Sequence, residues 1–265
     1  MIFFKKKIIF IHIPRCGGTS IEQNLWKNEF NKNFTFKESD ENHLLQGFID
    51  QYRNKYQYDG LQHLTLSNIN KIYPKETKNF FKFTFIRNPF SRIASAYAGI
   101  MTFRKDLRNF LVLYKDTSFK KFLELIQKNS HTHWMPMSNF FKDEEINFVG
   151  RFENYNEDLN RLEKIVQINL IKENFSGELN FSGKFNYLDF YKDKNNIDTV
   201  YKLFKEDFNR FNYDYYDFEK YEKKKISSIS MSSKINIPKK ERTLWRFLKK
   251  YIKKKIYLLN NSLKY

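Results

Sequence analysis

The chain has 265 residues, of which 41% are hydrophobic, and its 48 lysines and arginines against 30 acidic residues give a formal net charge of +18. A chain of this length and apolar content is expected to bury a full core as one large domain, which excludes an intrinsically disordered protein. The single cysteine, Cys16, cannot form an internal disulfide, so a small disulfide-stabilised secreted protein is excluded and a reducing, cytoplasmic location is expected.

The first predicted element is a strand at residues 8–13, where apolar and β-branched residues follow one another. Such a run is typical of a parallel strand that is buried on both faces. It is too short for the apolar region of a signal peptide. No other run approaches the roughly 18 apolar residues of a transmembrane helix, so we expect no membrane span.

A glycine-containing loop connects this strand to a predicted helix. The loop and the start of the helix consist of Pro14, Arg15, Cys16, Gly17, Gly18, Thr19 and Ser20. Backbone N–H groups and the positive end of a helix converge in such a loop, and Arg15, Thr19 and Ser20 add side-chain donors. The sequence therefore predicts a site for phosphate or sulfate. The alternative is an ordinary turn whose glycines only make room.

A Walker A loop would be the obvious alternative type of phosphate site. That loop requires a lysine directly before its threonine or serine, and this chain has Gly18 at that position. A kinase or ATPase function is therefore less favoured by the sequence.

A second strand is predicted at residues 80–87, followed by a helix that begins with Asn88 as cap and Pro89 at the first position and runs through residue 97. Arg87 then lies at the carboxyl end of a strand, where open α/β sheets bind ligands, and Ser95 lies about two helical turns further on. Two anion sites at one edge indicate a bisphosphorylated ligand. The alternative is that Arg87 and Arg92 are surface charges and Ser95 lies on a helix surface.

Further along the chain we predict helices at residues 118–128 and 155–167, the latter capped near Asn154, a strand at 146–153 and a weaker helix at 43–52. Strands that alternate with helices predict an α/β fold with three layers, in which helices flank a central, mainly parallel sheet.

The two motifs together resemble those of the PAPS-dependent carbohydrate sulfotransferases, which have a P-loop-like fold; PAPS is 3′-phosphoadenosine-5′-phosphosulfate. Residues 12–20 match the family's H-I-P-K-[TC]-G-G-T-S except that Arg15 replaces the lysine. Residues 85–97 match F-[VI]-R-N-P-[YF]-x-R-[LI]-x-S-x-Y and keep the spacing between Arg87 and Ser95. Residues 131–136 and 148–154 match the family more weakly, and the resemblance spans about residues 8–216.

The resemblance implies a sulfotransferase that moves a sulfuryl group from PAPS to a hydroxyl of a glycan or glycolipid, as in polysaccharide biosynthesis, and releases PAP. The residues it implies for the 5′-phosphosulfate are Arg15, Cys16, Gly17, Gly18, Thr19 and Ser20, and those for the 3′-phosphate are Arg87 and Ser95. Arg15 keeps the positive charge of the family's lysine but is a poor proton donor, so we expect it to act electrostatically. The alternatives are a P-loop kinase, or an inactive transferase fold that serves as a membrane-surface binding module.

Transfer to a hydroxyl needs a base for the acceptor's proton. His63 lies between the two motifs, and its position resembles that of the family's catalytic histidine or glutamate. The alternative is a partly buried histidine that orders its loop. His12 is expected to pack inside its strand. His131 and His133 could share a strand face as metal ligands do, but no convincing third ligand is present, and we expect no metal.

The C-terminal part carries more than half of the net charge, since residues 234–265 contribute +10. We predict a domain at 1–222, a linker at 223–240 and a basic amphipathic helix at 241–265. Apolar residues fill one half of its helical wheel and lysines most of the other, which is typical of a helix at an anionic membrane surface, here the inner face. A helix docked on the domain and a dimer contact are alternatives. No nucleic-acid binding is expected, because the aromatic residues avoid the lysines.

Overall fold

The structure, a computed structural model, describes residues 1–30, 61–102, 104–142, 144–170 and 187–214. The strands in these ranges are β1 (Ile2–Phe3), β2 (Ile8–Ile11), β3 (Phe81–Ile86) and β4 (Phe148–Arg151). They form one sheet in the order β1-β2-β3-β4, in which β1 runs antiparallel to β2 and the other pairs are parallel. The predicted mainly parallel sheet is confirmed.

The described ranges also contain nine α-helices and four short 3₁₀ helices. The α-helices are α1 (Gly18–Phe30), α2 (Leu66–Ile72), α3 (Pro74–Asn79), α4 (Pro89–Thr102), α5 (Lys105–Phe110), α6 (Phe119–Lys128), α7 (Tyr155–Val166), α8 (Lys194–Leu203) and α9 (Lys205–Arg210). The 3₁₀ helices are Leu61–His63, Met137–Phe140, Phe152–Asn154 and Tyr187–Tyr191. Helices flank the sheet, so the predicted α/β class is confirmed.

Three of the predicted segments lie outside the described residues, namely the helix at 43–52, the linker at 223–240 and the amphipathic helix at 241–265. In the part of the chain that is described, no helix combines the length and the apolar character needed to cross a bilayer.

Strand β2 ends two residues earlier than predicted. All four of its residues are buried, as expected for a parallel strand covered on both faces. The next residue, His12, directs its carbonyl to the ring of His63 instead of to a neighbouring strand. Pro14 has no backbone N–H and therefore cannot donate a hydrogen bond to a neighbouring strand. The strand therefore ends where the chain turns into the glycine loop.

Helix α4 begins as predicted and runs further. The Asn88 side-chain oxygen accepts a hydrogen bond from the Phe90 amide at 2.9 Å, which caps the helix, and Pro89 occupies the first turn. The helix continues five residues beyond Tyr97 to Thr102, because its next turn, which includes Ile100, is packed in the core.

Strand β4 is shorter than the predicted strand at 146–153. The Arg151 amide donates to the Asp158 carboxylate at 2.8 Å instead of continuing the sheet, and the chain enters the 3₁₀ helix Phe152–Asn154. Helix α7 then starts at Tyr155 as predicted, but the Asn154 side chain at its N-cap position makes no cap hydrogen bond. It ends at Val166, where Gln167 adopts a left-handed conformation.

Candidate functional site

Three loops lie along one edge of the sheet, because strands β2, β3 and β4 are parallel neighbours. Thr84 of β3 pairs with Ile11 of β2 on one side and with Val149 of β4 on the other, so the strands are in register. Their carboxyl ends lead into the glycine loop before α1, the Arg87-Asn88 turn before α4, and the 3₁₀ helix before α7. This is the edge at which open α/β sheets bind ligands.

The glycine loop is shaped by close contacts with aromatic rings. Gly17 has a φ of +83°, and a Cβ there would lie 2.9 Å from the ring of Tyr155. A Cβ on Gly18 would lie 2.2 Å from the His12 ring. The Tyr155 hydroxyl donates to the Gly17 carbonyl at 3.0 Å. Both glycines therefore make room for rings, as the alternative of an ordinary turn requires, and the loop leads directly into the first turn of α1.

Replacing Gly18 by alanine is expected to lower the free energy of unfolding by about 1–3 kcal/mol, because the added methyl group overlaps the buried His12 ring. Thermal or denaturant unfolding of the variant measures this cost. In a His12→Ala background the same replacement should cost much less, since the ring is gone. Equal costs in the two backgrounds would show that the His12 ring is not the obstacle.

Arg15, Ser95 and Arg87 come together at this edge. The Arg15 Nε and Nη2 atoms donate to the Ser95 hydroxyl at 3.0 and 2.7 Å. Arg87 Nη1 donates to the Arg15 carbonyl at 3.1 Å. The two sequence motifs are thus joined by their own predicted site residues. Ser95, which the resemblance assigns to the 3′-phosphate, accepts both of these hydrogen bonds from the Arg15 side chain.

The two arginines form a concentrated positive charge. Burial, and then the nearby Arg87, lower the pKa of Arg15 to about 10. Burial also lowers the pKa of Arg87, an effect that the Glu153 carboxylate opposes. Because its pKa is about 10, Arg15 remains protonated at neutral pH. An anion bound between the two guanidinium groups would relieve their repulsion.

The third loop supports Arg87. The Arg87 guanidinium lies over the Phe152 ring at 4.1 Å from its centroid. Glu153 accepts a hydrogen bond from the Asn88 amide at 2.7 Å and another from the Tyr213 hydroxyl at 3.0 Å. Phe152 and Glu153, which lie in the weaker family match at 148–154, thus support the candidate site, although the sequence alone indicated no role for them.

The alternative that Arg92 is a surface charge is wrong, since its side chain is fully buried. Its Nε donates to the Pro14 carbonyl at 3.1 Å, and its Nη1 donates to the Met135 carbonyl at 2.9 Å. Arg92 therefore ties the glycine loop to the turn that carries His133.

The remaining residues of the glycine loop differ in what they present. Cys16 is buried, with its sulfur 3.8 Å from that of Met137, and burial raises the pKa of its thiol to about 12. It therefore offers a bound anion only its backbone amide. Thr19 and Ser20 lie in the first turn of α1, where Thr19 is half-buried and Ser20 buried.

His63 is held in one tautomer by its surroundings. Its ring is 6% exposed, and Nδ1 lies 2.8 Å from the His12 carbonyl, which can only accept. The proton is therefore on Nδ1, and Nε2 carries a lone pair. Among the described residues Nε2 has no hydrogen-bond partner. Burial, followed by the neighbouring His12, lowers the pKa of His63 well below 6.5, so its ring is neutral.

His133 packs edge-on against His63, with ring centroids 5.1 Å apart. Arg104 Nη1 lies 2.6 Å from His133 Nε2, and an arginine can only donate, so this nitrogen accepts. Burial, and then His63, lower the pKa of His133 well below 6.5. The lone pair of His133 Nε2 therefore already accepts a hydrogen bond from Arg104, whereas the lone pair of His63 Nε2 accepts none among the described residues.

The possibility that His131 and His133 share a strand face is wrong. Residues 131–134 form a turn, in which the Trp134 and Met135 amides both donate to the His131 carbonyl. In the described ranges no three histidine, cysteine or acidic side chains lie close enough to hold a metal ion.

A row of aromatic rings leads from the surface to His63. Phe110 is 52% exposed, and its ring centroid lies 5.3 Å from that of His131. The His131 centroid in turn lies 5.1 Å from that of His133, whose ring contacts His63. The sequence analysis did not identify Phe110 as part of this region, because nothing in the sequence near residue 110 marks a site.

Comparison with known proteins gives one match. Residues 1–214 match a family model described as the sulfotransferase family. No curated protein and no solved structure matched the chain.

Proposed function

Because the chain belongs to the sulfotransferase family, we propose that it transfers the sulfuryl group of PAPS to a hydroxyl group of a glycan or glycolipid. The observation that carries this proposal is the meeting of Arg15, Ser95 and Arg87 at the sheet edge, with a neutral histidine in the adjoining ring cluster. The first three supply charge and donors for an anionic substrate, and the histidine supplies a lone pair for a hydroxyl proton.

The donor set fits a nucleotide that carries two separate anionic groups. The amides at the start of α1, the Thr19 hydroxyl and the Arg15 guanidinium suit a phosphosulfate. Arg87, from the next strand, suits a second phosphate. When bound, PAPS supplies an activated sulfuryl group with a phosphate as leaving group. Arg15 stabilises negative charge without giving up a proton, because its pKa of about 10 keeps it charged at neutral pH.

His63 is the base in this proposal. Its Nε2 accepts the proton of the acceptor hydroxyl, while the Nδ1–H bond to the His12 carbonyl holds the ring in place. Its lowered pKa means that the lone pair is available at neutral pH. His133 is not suited to this role, because Arg104 already donates to its Nε2.

The aromatic row supports a sugar as acceptor. Sugar rings have apolar faces that pack on aromatic side chains, and Phe110 and His131 form such a surface next to the histidine cluster. Arg104 lies near His63, but its guanidinium is paired with the Asp106 carboxylate at 2.6 Å, so its charge does not by itself select an acidic acceptor over a neutral one.

PAP binding tests the proposed donor site. A saturating concentration of PAP, about 100 times its Kd, should stabilise the protein by about 2.7 kcal/mol in a thermal-unfolding experiment. AMP, which lacks the 3′-phosphate, should give a clearly smaller shift, because Arg87 then has no second phosphate to hold. Stabilisation by ATP that exceeds that by PAP would favour a P-loop kinase instead.

A further inference from the structure

We propose that Glu22 is a positioning residue for the sulfuryl-transfer reaction: its carboxylate holds His12 and Gln62, and through both of them it fixes the His63 ring. This inference rests on the proposed role of His63 as the base. Glu22 lies in the second turn of α1, on the helix that follows the glycine loop, and no sequence motif marks it.

The first observation is the burial of the Glu22 carboxylate. The residue is 0% exposed, and one of its oxygens, Oε1, has no hydrogen-bond partner among the described residues. A buried carboxylate with incomplete hydrogen bonding is costly, and an apolar residue of similar size at such a position is often as stable or more stable. Glu22 also opposes the lowering of the pKa of the buried Met1 ammonium, so a structural role and a positioning role have to be separated by experiment.

The second observation is what the other oxygen contacts. Glu22 Oε2 accepts a hydrogen bond from Gln62 Nε2 and lies 3.1 Å from His12 Nδ1, a nitrogen that forms no hydrogen bond among the described residues. Gln62 directly precedes His63 in the same 3₁₀ helix. The His12 carbonyl is the group that accepts from His63 Nδ1. One carboxylate oxygen thus contacts both supports of the His63 ring, by a hydrogen bond to Gln62 and by close approach to His12.

The consequence concerns the geometry and the tautomer of His63. The His12 and His63 rings pack edge to face with centroids 4.8 Å apart, so a shift of His12 moves both the ring and its hydrogen-bond acceptor. If His63 Nδ1 loses this acceptor, the proton can move to Nε2, and the lone pair needed for the acceptor hydroxyl is lost. Glu22 touches neither substrate and acts through its two neighbours.

Two substitutions separate this role from a structural one. Glu22→Leu removes the charge and the hydrogen bond but fills the space, whereas Glu22→Gln keeps an oxygen for Gln62. Since a displacement of about 1 Å at a reacting group can cost 10²-fold, we expect kcat to fall about 100-fold for Glu22→Leu and about 10-fold or less for Glu22→Gln. PAP affinity should change less than about threefold in both, because Arg15 and Arg87 are untouched.

The tautomer of His63 provides a readout that does not depend on activity. ¹⁵N NMR of the imidazole should show the proton on Nδ1 in the wild-type chain and a mixture of tautomers in Glu22→Leu. Thr84→Val is the matched control, since it removes a buried hydrogen bond to the Ile11 carbonyl in the same sheet without touching His12 or His63. It should lose some stability and keep both kcat and the tautomer.

Glu22 is not a positioning residue if Glu22→Leu keeps the Nδ1 tautomer and the kcat of Thr84→Val. If Glu22→Leu does not fold, Gln62→Leu removes the same hydrogen bond from a half-buried position. This variant should lower kcat about 10-fold and leave PAP affinity intact. An unchanged kcat in Gln62→Leu would likewise overturn the inference. A wild-type chain that transfers no sulfate would contradict the proposed function, and the NMR result would still decide the link between Glu22 and His63.

Discussion

Replacing His63 by alanine is expected to lower sulfation turnover by about 10²–10⁴-fold, the usual contribution of a general base, with PAP affinity within about twofold of the wild type. The loss follows from the removal of Nε2, whose lone pair accepts no hydrogen bond among the described residues and is the proposed proton acceptor. The fall should appear in kcat, because proton removal takes place in the transition state. Steady-state kinetics with saturating PAPS and acceptor measure it.

The comparison variant for this experiment is His131→Ala. It removes a histidine from the same aromatic row, one that contacts His133 but for which no contact with His63 is seen among the described residues. Because His131 belongs to the proposed sugar-binding surface, its loss should raise the KM for the acceptor, whereas kcat at saturating acceptor should stay near that of the wild type. In the wild-type chain the acid limb of the kcat profile should lie below pH 6.5, because burial and His12 hold the pKa of His63 below that value. Turnover that survives in His63→Ala would assign the proton transfer to another residue.

Replacing Arg87 by alanine should weaken PAP binding by roughly 10- to 150-fold, the equivalent of about 1.5–3 kcal/mol for a hydrogen bond to a charged group. The substitution removes the proposed partner of the 3′-phosphate and also the contact that Arg87 makes with the Arg15 carbonyl. Isothermal titration calorimetry with PAP measures the change.

Two further variants separate charge from geometry at this position. Arg87→Lys keeps the charge but loses the fork and the stacking on Phe152, so its affinity should fall between those of the wild type and the alanine variant. Arg108→Ala removes another half-buried arginine, which donates to the Met101 carbonyl away from the glycine loop, and should leave PAP affinity unchanged. Equal PAP affinity in Arg87→Ala and the wild type would refute the 3′-phosphate assignment.

The sequence predicted the elements that depend on local patterns. Residues close to one another in the sequence determine these elements, namely the buried run that forms β2, the glycine loop into α1 and the cap at Asn88. The parallel arrangement then placed Arg15 and Arg87 at one edge before any contact was known. Element ends were less predictable, because β2 stops where the His12 carbonyl contacts a residue 51 positions away.

Contacts between distant segments were not predictable. The bond between Arg15 and Ser95 spans 80 positions, and that between Gln62 and Glu22 spans 40. The sequence favoured His63 over His133 as the base only through its resemblance to the family, and the Arg104 guanidinium adds a structural reason, because it uses the lone pair of His133. The buried position of Arg92 was missed for a related reason: an arginine in a helix is usually exposed, and its two carbonyl partners come from other loops.

Sulfate transfer by the full chain is the most direct measurement. The protein would be incubated with radiolabelled PAPS and a panel of neutral and acidic oligosaccharides, and the label would be followed into the glycan together with the release of PAP. We expect labelled glycan and PAP in equal amounts with the wild-type chain, and on the order of 10²–10⁴-fold less of both with His63→Ala. Phosphorylated glycan formed from ATP, with no sulfate transferred from PAPS to any acceptor, would contradict the proposed function.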